Sequence, residues 1–214
     1  MFNAFLATSV IFLMLVMSEL LWRWSRIRGE FARKFVHIMA GTFIAFLPLW
    51  VSYGWISVLA VGFILANLLN RYTHLFHAIH AITRKSWGDL LFGVGILITS
   101  LVKPNKWIFV GAILQVALAD GLAAVVGTHY GKKPYRILDH KKTFIGTCTF
   151  YISSLLILIF VITALSLNLE LRLLILIVIV PLAMTLLENI SGYGTDNVLL
   201  PLGFLMLMRL LSIG

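Results

Sequence analysis

The chain has 214 residues, 61% of them hydrophobic, with a mean hydropathy of +1.01. Soluble domains are about 45–50% apolar and about 25% charged, whereas only 12% of this chain is charged, so one water-soluble core is excluded and lipid is the expected solvent. The 17 Lys and Arg outnumber the 8 Asp and Glu, giving +9, but the cations punctuate apolar runs. That pattern suits loops facing anionic lipid or an anionic soluble substrate, with no nucleic-acid partner. The single Cys148 rules out an intramolecular disulfide, and no cysteine–histidine zinc spacing exists.

A membrane helix needs about 20 apolar residues, fewer where it is tilted or half-buried. In chain order the candidate spans are Asn3–Trp22, Phe35–Val51, Trp55–Leu69, Leu90–Val102, Trp107–Val126, Thr149–Leu165, Leu171–Leu187 and Val198–Leu211. The first lacks a basic leader and runs on to about Trp22, so it reads as a span rather than a signal peptide. Trp22, Trp50, Trp55, Trp87 and Trp107 stand near span ends, as interfacial aromatics should. The expected fold is therefore all-α: a polytopic transmembrane bundle of about seven to eight spans, forming one integral-membrane domain over residues 1–214.

Orientation follows the basic loops. Arg23, Arg26, Arg28, Arg33 and Lys34 follow the first span, and Arg71, Arg84 and Lys85 follow the third. Lys132, Lys133, Arg136, Lys141 and Lys142 follow the fifth. With eight spans these loops share a side, leaving only Lys103, Lys106, Arg172 and Arg209 opposite. The N-terminus is then expected outside and the three basic loops in the cytoplasm. Arg71–Asp89 is a candidate interfacial helix, on which His74, His77 and His80 recur every three residues. That spacing reads as a polar helix face.

Ionisable groups at membrane depth are costly and usually face a cavity or a partner. One cluster opens the second span: Arg33 and His37 share a helix face, Lys34 lies beside them, and Gly41 continues the face and permits close helix approach. A second starts at Asp120, which sits inside the fifth span and so needs a reason. Gly121, Gly127 and Gly131 follow it, then Lys141, Lys142, Thr143 and Gly146. Glycines let backbone N–H groups approach phosphate oxygens, and lysines supply point charges for them. A third runs from Glu188 through Asn189 to Asp196 and Asn197, with Pro201 beyond. Its oxygen donors suit Mg²⁺, which takes a few carboxylates and completes its shell with phosphate and water. A weaker fourth feature is Lys85-Ser86-Trp87-Gly88-Asp89. Each cluster also has a plain reading, as a cationic anchor, a basic loop, a glycine-rich turn or an interfacial anchor. The topology brings the three stronger clusters to one face, and together they hold the parts used in phosphoryl or nucleotidyl transfer.

These residues resemble the polyprenol kinase family of membrane proteins, which includes dolichol kinase, phytol kinase and CTP-dependent diacylglycerol kinase. The resemblance rests on Arg33-Lys34-x-x-His37-x-x-x-Gly41 and Gly88-Asp89-Leu90-Leu91-Phe92. It continues through Asp120-Gly121, Gly127, Gly131 and Lys142-Thr143-x-x-Gly146, and closes on Glu188, Asp196-Asn197-x-x-x-Pro201. Thr143 stands where the family often has serine, so the hydroxyl is kept. The resemblance implies transfer of a phosphoryl group from CTP to a lipid alcohol, such as a polyprenol, phytol or diacylglycerol, at the cytoplasmic face. On that reading Asp120 and Asp196 divide Mg²⁺ binding and proton acceptance, with Glu188 and Asn197 completing the metal shell. Arg33, Lys34, Lys141 and Lys142 hold the triphosphate, Thr143 and Gly146 shape the loop against it, and His37 bonds a phosphate or orients a carboxylate. Other readings remain: a phosphatidate cytidylyltransferase making a CDP-lipid from the same parts, or a transporter or structural membrane subunit.

Overall fold

The computed structural model describes residues 2–24, 30–73, 87–138, 140–167 and 171–211. Among them are eight helices: α1 (Phe2–Trp24), α2 (Glu30–Phe46), α3 (Tyr53–Thr73), α4 (Gly88–Val102), α5 (Lys106–Tyr130), α6 (Phe144–Ala164), α7 (Leu171–Ile190) and α8 (Asp196–Leu210). Each coincides with one sequence-derived span. The helices run further at the polar ends, because helical hydrogen bonding continues after hydrophobicity stops. The departure from an all-helical chain among the described residues is a short antiparallel ribbon, β1 (Pro134–Ile137) with β2 (His140–Thr143), paired Tyr135 to Lys142 and Ile137 to His140. It occupies what the sequence presents as a plain basic loop. His74, His77 and His80, and most of the candidate interfacial helix, lie outside the described residues.

α5 is the axis of the fold. Apart from the buried Gln115, its residues Trp107–Leu118 are apolar on all sides rather than along one stripe, the pattern of a helix enclosed by others. Phe109, Val110, Ala112, Ile113, Val116 and Ala117 are fully buried there, against α2, α6 and α8. α3 packs on α4, α4 on α8, and α6 on α7. The outer surface is the reverse of a soluble protein's. Phe5, Phe12, Leu65, Leu156, Phe160 and Met206 all stand exposed. An apolar exterior this extensive fits hydrocarbon, not water. α5 and α6 are long and apolar enough to cross a membrane. Shorter apolar stretches cover Phe2–Met14, Lys34–Leu49, Tyr53–Leu69, Gly88–Val102 and Leu176–Ile190.

Two local features set the site. Between Gln115 and Asp120 α5 widens into a π-helical turn, a form that recurs at functional sites. Ala117 in that turn meets Gly41 of α2 so closely that a Cβ on Gly41 would stand 2.5 Å from its own. Gly41 thus provides the close approach its place in the sequence suggests. Likewise a Cβ on Gly95 of α4 would overlap the carbonyl oxygen of Asn197, so α4 and the start of α8 are in backbone contact.

Candidate active site

A cavity of about 620 Å³ opens where α5 and α7 end and α2, α4, α6 and α8 begin, closed on one side by the ribbon. This is a size common for ligand sites. Four of the chain's eight acidic residues line it: Asp89, Asp120, Glu188 and Asp196. So do Lys34, Lys141 and Lys142.

Asp120 closes the π turn, and Lys34 reaches it from the first turns of α2. Lys34 Nζ donates to Asp120 Oδ2 at 2.6 Å, and the two side chains are only 12% and 8% exposed. Such burial is sustainable only because the charges cancel. His37 lies one turn beyond Lys34, and its ring packs on Phe92 with centroids 4.6 Å apart. It stands behind the ion pair rather than on the cavity wall. The Arg33 side chain lies outside the described residues.

A second ion pair crosses the cavity. Lys142, on β2, donates to Glu188 Oε1 and to the Glu188 carbonyl oxygen, at the end of α7. Two more links tie the ribbon down. The Tyr135 hydroxyl donates to Asn189 Oδ1 at 2.7 Å and shares a short hydrogen bond with the Thr147 hydroxyl. Strand alternation puts Tyr135, Ile137, His140 and Lys142 on one ribbon face, with Arg136 and Lys141 on the other. Lys141 still borders the cavity, but it is exposed.

Thr143 links the ribbon to α6. Its Oγ1 accepts from Gly146 N–H at 3.2 Å, a helix N-cap, and donates to the Gly127 carbonyl at 3.4 Å. The Lys-Thr-x-x-Gly spacing is therefore a capping motif. It presents the start of α6, with its uncommitted N–H groups, to the cavity, an arrangement that favours anions. Gly127, Gly131 and Gly146 surround Thr143 so tightly that no Cβ fits. Gly121 does not line the cavity; it faces Ile38 of α2, where it permits close helix packing.

Asp196 begins α8. Its Oδ1 accepts from the Asn197 backbone N–H and from Asn197 Nδ2, both at 2.9 Å. Asn197 Nδ2 also donates to the Gly194 carbonyl at 3.1 Å. Of the residues lining the cavity, Asn197 and Glu188 each have a buried oxygen, Oδ1 and Oε2, with no hydrogen-bond partner among the described residues. Buried oxygens left this way call for a donor or a cation. Both are hard oxygens, which suits Mg²⁺. Yet among the described residues no three His, Cys, Asp or Glu converge on one point. The site therefore fits a cation that takes one or two protein ligands and brings phosphate and water with it, and not an all-protein cage.

The structure thus gathers Lys34, Asp120, Gly127, Gly131, Lys141, Lys142, Thr143, Gly146, Glu188, Asp196 and Asn197 around one space, with His37 just behind. It adds Asp89, His140, Tyr193, Ser191 and Thr147. Asp89 was visible in Gly88-Asp89 of the fourth motif; the others carry no charge or motif that marks them.

No family model matches the chain. The chain is 30% identical over 203 residues to phytol kinase of Synechocystis sp., an alignment spanning 92% of this chain and 86% of that protein. No solved structure matches.

Proposed function

The chain belongs to the polyprenol and phytol kinase family, and on that premise we propose that it is a CTP-dependent lipid-alcohol kinase, with phytol or a related isoprenoid alcohol as acceptor. The observation that supports this most is the pair of ion pairs, Lys34–Asp120 and Lys142–Glu188, facing one cavity that the start of α6 also borders. Lys34 donates to Asp120 and Lys142 to two oxygens of Glu188, and on nucleotide binding these ammonium groups would shift part of that hydrogen bonding to phosphate. The carboxylates hold the lysines extended and desolvated before the nucleotide arrives, which lowers the reorganisation needed for transfer.

In the proposed reaction the alcohol oxygen attacks the γ-phosphorus, its proton passes to a carboxylate, and CDP leaves. A lipid alcohol is a poor nucleophile at neutral pH, so a base, alignment and charge neutralisation are all required. Asp120 and Asp196 divide the acidic work, one receiving the proton and the other helping to hold the cation. Glu188 and Asn197 supply the remaining protein oxygens. Mg²⁺, when bound with the nucleotide, would screen the charge of the β- and γ-phosphates. Lys34, Lys142, Lys141 and Arg33 bind phosphate, and the α6 N-terminus behind Thr143 adds backbone donors.

The membrane arrangement belongs to the same proposal: eight crossings, N-terminus outside, cavity at the cytoplasmic headgroup level. The ends of α5 and α7 and the starts of α2, α4, α6 and α8 meet at the cavity beside the ribbon that carries Lys141 and Lys142, which supports this arrangement. An alcohol anchored by its tail between helices would reach the cavity with its hydroxyl. The test is turnover of Asp120→Asn and Asp196→Asn in purified protein with Mg²⁺, CTP and phytol. Both variants are expected to fall at least a hundredfold while still inserting and eluting as the wild type does. Full turnover in both would overturn the site assignment.

A further inference from the structure

The cavity holds an aromatic pair that the phosphate chemistry leaves unused. His140 on β2 and Tyr193 in the α7–α8 turn both line it, with ring centroids 4.7 Å apart and planes at 71°. Tyr193 is 58% exposed, so much of its ring is open to a ligand. Its backbone is left-handed, with φ of 54°, and Gly194 follows at 95°. A bulky residue held at positive φ is strained, and such strain collects at functional sites. On the other side His140 lies flat over Gly192, where any Cβ would run into the imidazole. The Gly192-Tyr193-Gly194 turn therefore fixes both rings: one glycine makes room for His140, and the other takes up the sharp turn that projects Tyr193.

We propose that His140 and Tyr193 form the nucleobase subsite of the donor nucleotide, with the base stacking on the exposed Tyr193 ring against the edge of His140. This rests on the kinase reading of the cavity. Its geometric basis is the ribbon. His140 and Lys142 are on the same face of β2, two residues and so about 7 Å apart along the strand. A ribose spans that kind of separation between a base and its phosphates. The phosphates then meet Lys142 and the α6 N-terminus, and the base points out toward the rim, where Tyr193 stands. Stacking favours any flat base, so the subsite raises nucleotide affinity over that of bare polyphosphate without by itself choosing the base.

The experiment compares binding of CTP and of inorganic tripolyphosphate, which has the charges but no base, to full-length protein in nanodiscs with Mg²⁺. Wild type is expected to prefer CTP. Tyr193→Ala and His140→Ala are each expected to weaken CTP about tenfold and leave tripolyphosphate unchanged, while Tyr193→Phe keeps the preference. Equal loss for both ligands, or no loss for CTP, would overturn the subsite; the second result would leave Tyr193 as an interfacial anchor. If wild type transfers the γ-phosphate yet binds both ligands alike, the subsite falls and the kinase reading stands. If wild type binds neither ligand, both fall together.

Discussion

Replacing Lys34 with methionine separates the structural from the chemical role of the innermost ion pair. The change keeps an unbranched side chain only one atom shorter and removes the charge, leaving Asp120 buried with its ion-pair partner gone. Breaking one partner of a buried pair costs about 3–5 kcal/mol. Lys142 borders the same cavity as Asp120, so a second cation remains and the cost should lie at the low end, about 3 kcal/mol. For a chain of this size 1 kcal/mol moves the melting midpoint by about 2–4 °C, so Lys34→Met should melt roughly 6–12 °C lower. Adding Asp120→Asn removes the stranded charge and should restore most of that loss. Thermal unfolding in detergent, followed by intrinsic fluorescence, reads both changes. Neither variant should phosphorylate lipid. A single variant as stable as wild type, or a double variant less stable than the single, would refute the buried-pair account.

Gly95→Ala drives a methyl into the Asn197 carbonyl and must push α4 away from the start of α8. Overpacking of this kind costs about 1–3 kcal/mol, so melting should drop and turnover should fall, because Asp196 and Asn197 move with that backbone. Tyr135→Phe deletes the hydroxyl that joins Asn189 and Thr147. A loss of about 1–2 kcal/mol is expected, with faster trypsin cleavage at Arg136 as the ribbon loosens; an unchanged cleavage rate would show that the ribbon is held by other means.

What the sequence made legible follows from the cost of charge in apolar surroundings. Asp120 stands out because hydrocarbon gives it no reason to be there, Glu188 and Asp196 as acids in a loop between spans that has no lysine or arginine, and Lys34 and Lys142 as cations just before spans. Their convergence followed from counting spans. The pairing itself was hidden: Lys34 with Asp120 and Lys142 with Glu188 join residues 86 and 46 apart, and no local pattern encodes that. The ribbon was hidden too. Pro134–Ile137 and His140–Thr143 are four residues each, the second with no large apolar residue, so the stretch is too short and too basic for period-2 hydrophobicity to mark it. Tyr135, Asn189 and Thr147 matter through hydrogen bonds made across that ribbon, and His140 and Tyr193 through a turn whose left-handed backbone only the fold reveals. Thr143 and Gly146 were found for their spacing, but their shared role as a helix cap needed the geometry. Gly121 shows the opposite case. It was drawn to the site by its neighbour Asp120, yet its place is a helix-packing contact with Ile38.

The central claim is phosphoryl transfer from CTP to a lipid alcohol, and the most direct measurement supplies phytol and Mg²⁺ with CTP labelled at either the α- or the γ-phosphate. The account predicts that γ-label enters the lipid, α-label stays in released CDP, and transfer stops without Mg²⁺. Label entering lipid from the α-position, with pyrophosphate released when phosphatidate is supplied, would contradict it and establish a cytidylyltransferase instead.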